Sequence, residues 1–161
     1  MLESKIKNLN QLKKIVDRLK KSRKRIVFTN GCFDILHYGH VKCLEAAKEY
    51  GDYLIVAVNS DISVKRLKGN TRPVFPSFAR ARTIAALESV DFVTIFKEDT
   101  PLNLIKKIKP DILVKGADWE SKDIVGKDVL ASYGAKVINI PLVKNFSTTG
   151  LIKTIEKRFI K

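Results

Sequence analysis

Both histidines of this 161-residue chain lie in one short stretch: Thr29-Asn30-Gly31-Cys32-Phe33-Asp34-Ile35-Leu36-His37-Tyr38-Gly39-His40. They stand three residues apart with a glycine before the second. Packing alone does not call for such a pair. The stretch follows the β-branched run Ile26-Val27-Phe28-Thr29 and leads into a helix start at His40-Val41-Lys42-Cys43-Leu44-Glu45. A helix start presents unpaired N–H groups and the positive end of the helix dipole, which makes it an anion site. Gly31 lets the backbone turn and approach a ligand closely. Two imidazoles beside such a helix start can donate hydrogen bonds to developing negative charge. Phosphoryl-type transfer asks for that kind of stabilisation and for little covalent chemistry from the protein.

Other groups with chemical potential fall at the ends of later apolar runs. Asn59-Ser60-Asp61 follows the second run, and Lys65, Arg66 and Lys68 come soon after. Lys115-Gly116-Ala117-Asp118-Trp119 follows the fourth run. There Gly116 permits close backbone approach and Asp118 can accept from ribose hydroxyls. Ser147-Thr148-Thr149 opens the last helical stretch with residue types preferred at a helix N-cap. Cys32, His37, His40 and Cys43 are all zinc-ligand types, but they lack the tight, regular pairs of a closed zinc site. Cys32 is expected to pack at a strand end and Cys43 to face the core.

These groups need a scaffold, and the periodicity supplies one. Runs at 26–29, 53–58, 92–96, 111–114 and 136–140 read as strands. Stretches near 39–50, 60–67, 77–88, 101–108, 122–132 and 148–159 read as helices. Non-alternating strands separated by helices predict an open, doubly wound parallel α/β sheet of five strands, Rossmann-like, with helices on both faces. Such sheets bind ligands beyond the C-terminal strand ends, at the point where strand order reverses. Ile6, Leu9, Leu12, Ile15, Val16 and Leu19 predict one more helix over 5–20, with Ser4 as its N-cap. The expected division is a basic amphipathic helix over 1–24 and one domain over 25–161.

Composition narrows the classes. The net charge is +14, with 45% hydrophobic and 30% charged residues, and favours anionic partners. No apolar run approaches the ~20 residues of a membrane span, and the lysine-rich start does not read as a secretory signal. Two cysteines are too few for a disulfide framework. A cytoplasmic enzyme with no membrane or nucleic-acid partner is expected. A nucleic-acid-binding module is the non-enzyme alternative, but no known docking motif accompanies the charge.

From about Arg25 to Lys161 the chain resembles the HxGH-motif nucleotidyltransferase superfamily, which includes cytidylyltransferases and adenylyltransferases. The string GCFDILHYGH carries the resemblance, with NSDxSVxRLKG at 59–69, Arg72-Pro73 to Arg80 before Ile84-Ala85-Ala86-Leu87, and STT at 147–149. GCFD, FKEDTPLNLIKKIKPDILVKGAD and the following DIVG are most similar to D-glycero-D-manno-heptose 1-phosphate adenylyltransferases. Trp119 instead matches glycerol-3-phosphate cytidylyltransferase, so a cytidylyltransferase acting on a polyol or sugar phosphate is the alternative. The resemblance implies that His37, His40, Lys68 and Arg80 stabilise charge during transfer. It implies a nucleotide held by Asn30, Gly31, Cys32, Phe33 and Gly39 together with Lys115, Gly116, Asp118 and Trp119. Ser147, Thr148 and Thr149 complete that nucleotide set. It implies an acceptor held by Asp34, Asn59, Asp61 and Lys68, a Mg²⁺ ion carried on the ATP phosphates rather than by side chains, and a homodimer.

Overall fold

The computed structural model describes residues 2–116 and 124–159. In chain order it contains α1 (Leu9–Lys21), β1 (Ile26–Gly31), α2 (Tyr38–Lys48), β2 (Tyr53–Asn59), α3 (Asp61–Lys68) and α4 (Ser77–Ala85). Then follow β3 (Phe92–Phe96), α5 (Leu102–Ile108), β4 (Ile112–Gly116), α6 (Lys127–Ala131), β5 (Lys136–Ile140) and α7 (Thr148–Phe159). The five strands are parallel in the order β3-β2-β1-β4-β5. The expected doubly wound sheet is therefore observed, and its order reverses between β1 and β4.

Each face of the sheet carries its own apolar layer. Val27, Val56, Val58, Val93 and Val114 point to one side, where Leu44 and Ala47 of α2 and Ala81, Ile84 and Ala85 of α4 cover them. Phe28, Ile55, Ala57 and Leu113 point to the other, beneath α1, α5 and α6. Leu54 through Val58 are all fully buried, which is why that strand reads as an unbroken apolar run instead of an alternating one. Among the described residues, no helix is long and apolar enough to cross a membrane.

The N-terminal helix differs from expectation at its start. It begins at Leu9, not Lys5, and Asn8 is its cap instead of Ser4. The Asn8 side chain accepts from the Gln11 N–H at 2.9 Å, and the Asn8 N–H donates back to the Gln11 side chain at 3.0 Å. This reciprocal capping box outcompetes an earlier start. Residues 2–5 form a separate 3-10 turn, and Ile6 bridges to Val93 in parallel fashion. α4 stops at Ala85, short of the 77–88 expected, and α6 covers only Lys127–Ala131.

α1 is part of the core, since Leu12 and Val16 are fully buried against Phe28, Ile55 and Leu104. Leu12→Ala is expected to cost about 3 kcal/mol, as large-to-small core changes do. Lys13→Ala, which loses one exposed ion pair to Asp17, should stay within about 0.5 kcal/mol. Urea denaturation of both variants measures the contrast.

Candidate active site

Where β1 and β4 part, side chains take over from backbone pairing. The register joins Val27 to Ile112 and Phe28 to Leu113. Further along, Thr29 Oγ1 donates to the Val114 carbonyl at 3.0 Å, and Lys115 Nζ donates to Asn30 Oδ1 at 2.5 Å. Lys115 is 7% exposed, so a buried ammonium stands at the C-terminal end of β4 beside the end of β1. Gly31 then ends the strand. A Cβ there would meet the Phe33 ring at 3.1 Å, because Phe33, at φ 45°, folds back over it. The same ring packs edge-on against His40, with centroids 5.3 Å apart.

The two histidines shape the start of α2. His37 is the N-cap in extended conformation, and its Nδ1 accepts the His40 N–H at 3.4 Å. A ring nitrogen that accepts an N–H carries no proton, so the neutral His37 ring holds its proton on Nε2 and can donate from there. The rings stack at 3.8 Å with 18° between planes. Burial, then the neighbouring His37, pushes the His40 imidazole down to about 4, against a pull from the Ile35 carbonyl. Burial also lowers His37. At neutral pH both rings are uncharged donors. His40 Nδ1 is buried and has no hydrogen-bond partner among the described residues.

Gly39 ties this turn to the far end of the chain. A Cβ on it would sit 3.1 Å from Phe146 Cβ and 3.2 Å from the His37 ring. Phe146 also packs edge-on against Tyr38, with centroids 5.2 Å apart. The contact brings the start of α7 alongside the start of α2. Ser147 accepts the Gly150 N–H at 3.0 Å and so caps α7, with Thr148 and Thr149 in its first turn. Two helix N-termini therefore flank the histidine pair.

On the opposite side lie the residues expected to meet the acceptor, and several have their polar atoms committed. Asn59 is buried and donates to Ser63 Oγ at 3.0 Å. The Asp34 carboxylate is fully buried and accepts from Arg72 and from the Val74 and Phe75 amides. Burial pushes its carboxyl up, but those amides and Arg72 outweigh it and hold the group below the usual carboxylate range. Arg80 was expected to offset charge on the reacting phosphates; its side chain is 1% exposed instead. It donates to the carbonyls of Phe75 at 2.9 Å, Asn59 at 2.7 Å and Cys32, and to Asp61 at 2.8 Å. Four of the five guanidinium N–H groups are spent on the protein, so Arg80 braces the site.

Asp61 keeps a partly exposed carboxylate, and Lys68 stands exposed at the end of α3. Burial raises the Cys32 thiol pKa, while the charges of Lys68, Arg80 and Arg72 pull it partly back. The site therefore gathers His37, Gly39, His40, Asn30, Gly31, Phe33, Lys115, Gly116 and the start of α7. Asp118 and Trp119 lie outside the described residues. Among the described residues, no group of three or more His, Cys, Asp or Glu side chains could hold a metal ion. Sequence reasoning gave no site role to Arg72, Val74, Phe75, Tyr38 or Phe146. Only Arg72-Pro73 carried a signal, as part of a motif.

The histidine burial has a consequence for stability. The folded pKa of His40, about 4, lies below the unfolded value near 6.5. Its contribution is thus complete above pH ~6.5 and is lost as pH falls toward 4, because the unfolded state then binds more protons. Denaturation midpoints should fall between pH 7 and pH 5, and His40→Asn should flatten that slope.

The chain is similar to known proteins over most of its length. Residues 28–156 match the family model described as cytidylyltransferase-like. The chain is 51% identical over 157 residues to the bifunctional protein HldE of Geobacter metallireducens, covering 98% of this chain and 32% of that protein. It is 56% identical over 148 residues to HldE of a Nitratiruptor species, covering 92% and 31%. It thus spans about a third of the length of the curated relatives it matches. Among solved structures, the lipopolysaccharide core biosynthesis protein of Thermoplasma volcanium superposes with a TM-score of 0.62 at 30% identity, covering 75% of this chain and 98% of that one. A histidine pair capping a helix at the sheet's reversal point, in a chain matched over 28–156, places this protein in the cytidylyltransferase-like family.

Proposed function

We propose that the chain transfers the AMP moiety of ATP to D-glycero-D-manno-heptose 1-phosphate, giving ADP-heptose and pyrophosphate. One observation carries the reaction type: the stacked His37–His40 pair at the start of α2, with the start of α7 beside it. That is a site of hydrogen-bond donors around a place for phosphate. The heptose subgroup rests on the strings GCFD, NSDxSVxRLKG and VKGAD, and is supported by the likeness to proteins called HldE and to a lipopolysaccharide core biosynthesis protein.

In this reading an acceptor phosphate oxygen attacks the α-phosphorus of ATP in line. The new O–Pα bond forms as the bond from Pα to the bridging oxygen breaks, and pyrophosphate leaves with that electron pair. No protein nucleophile takes part. His37 donates from Nε2, and the free N–H groups of α2 and α7 hold the triphosphate oxygens. Lys68 supplies a mobile point charge on the acceptor side. The Asp34 and Asp61 carboxylates are engaged by arginines, so the donor set suits a Mg²⁺ that arrives on ATP. When bound, such an ion neutralises charge on the phosphate oxygens.

The test is pyrophosphate release, crossing ATP and CTP with heptose 1-phosphate and glycerol 3-phosphate. Release with ATP and the heptose phosphate alone is expected. Release with CTP and glycerol 3-phosphate overturns the subgroup assignment, and silence in every combination overturns the reading. His37→Ala and His40→Ala should each lower turnover by about 10²–10³, the usual cost of losing a charge-stabilising donor.

A further inference from the structure

Residues 69–76, between α3 and α4, form a strap whose backbone is gripped from two sides. The Phe75 N–H donates to Asp34 Oδ1 at 3.0 Å, and the Val74 N–H reaches both Asp34 oxygens at 2.8 and 2.9 Å. The Phe75 carbonyl accepts from Arg80 Nε at 2.9 Å. One residue of a surface strap is therefore held by two buried groups of opposite charge. Arg80 carries the fastening onward to the Cys32 and Asn59 carbonyls, which lie past the ends of β1 and at the end of β2. Arg72, within the strap, closes the loop onto Asp34.

Burying charges is expensive, and a surface loop does not need it to stay attached. Nor does the grip serve core packing, because the Val74 and Phe75 side chains stay 51% and 50% exposed. The grip fixes the strap's backbone. Position indicates the purpose. Phe146 and the start of α7 meet the histidine turn at Gly39 and Tyr38, whereas the strap joins it through Asp34, three residues ahead of His37. On the strap's side, Arg72 and Arg80 stand paired with Asp34 and Asp61, and the exposed Lys68 ends α3 just before the strap.

We propose that Asp34 and Arg80 are positioning residues that set the strap as one wall of the acceptor subsite, with the exposed Val74 and Phe75 side chains facing the acceptor's non-phosphate part. This rests on the transferase reading above. The two residues act through the strap and not on the reacting atoms. Their loss should therefore weaken acceptor use far more than ATP use.

The experiment compares wild type with Asp34→Asn, Arg80→Lys and Arg72→Gln, reading the KM for each substrate, kcat, Tm and amide exchange over 69–76. The expected result for the first two is an acceptor KM raised about tenfold or more, since a displaced wall loses binding contacts to the acceptor. The KM for ATP should stay within about twofold, with faster exchange at Val74 and Phe75. Arg72→Gln leaves both buried groups in place, so it tests the strap where the others fail to fold, with the same bias in smaller degree. Equal rises in both KM values, or a fall in kcat alone, overturn the proposal. A wild type silent with every acceptor overturns the transferase reading and this inference with it; an active wild type with unbiased variants overturns this inference alone.

Discussion

The N–H groups in a helix's first turn have no partners within the helix, and α2 opens its first turn where β1 and β4 part. Something must satisfy those donors. Here one, the His40 N–H, is shared between the His37 carbonyl at 2.9 Å and the His37 ring at 3.4 Å. That choice of cap fixes much else. It sets the tautomer of His37, stacks the two rings, and leaves the Nε2 proton of His37 to donate. It also favours a residue without a side chain at position 39, where a Cβ would crowd Phe146 at 3.1 Å and the His37 ring at 3.2 Å. The close fit draws the loop before α7 against α2 and sets a second helix N-terminus beside the first.

Charge in the site is arranged by burial more than by number. Both histidines are held neutral by burial, so the pair adds no positive charge to the site. Arg80, expected at the reacting phosphates, spends four of its five guanidinium N–H groups on carbonyls and Asp61. The buried contact of Asp34 with Arg72 joins two loops and takes that carboxylate out of reach of an anion. The proposed polyphosphate site gains from this economy: positive potential comes from helix ends and lysines, and Asp34 and Asp61 are each paired with an arginine.

Much of this was legible in the sequence. The parallel sheet followed from unbroken apolar strands, because burial on both faces leaves no polar register to alternate. The histidine pair and the STT start were visible because few residue types serve a helix N-terminus. What could not be read was the use of long side chains. Arg80 sits in a motif whichever way its guanidinium turns, and only the carbonyls of Cys32, Asn59 and Phe75 show that it turns inward. Asp34 likewise reads as a ligand group until the Val74 and Phe75 amides are seen to fill it. The helix start at Leu9 was missed because the apolar stripe runs on through Ile6, while a local capping box at Asn8 decides the boundary. Phe146 gave no signal, since its contact with Tyr38 spans most of the chain.

The proposed transfer depends on where the triphosphate sits. A crystal structure of the protein with Mg²⁺ and a non-hydrolysable ATP analogue tests this most directly. The account predicts phosphate oxygens within hydrogen-bond distance of His37 Nε2 and of the first-turn N–H groups of α2 and α7, with Arg80 still bonded to the Cys32 and Asn59 carbonyls. A triphosphate bound elsewhere, or an Arg80 swung out to meet it, would contradict the account.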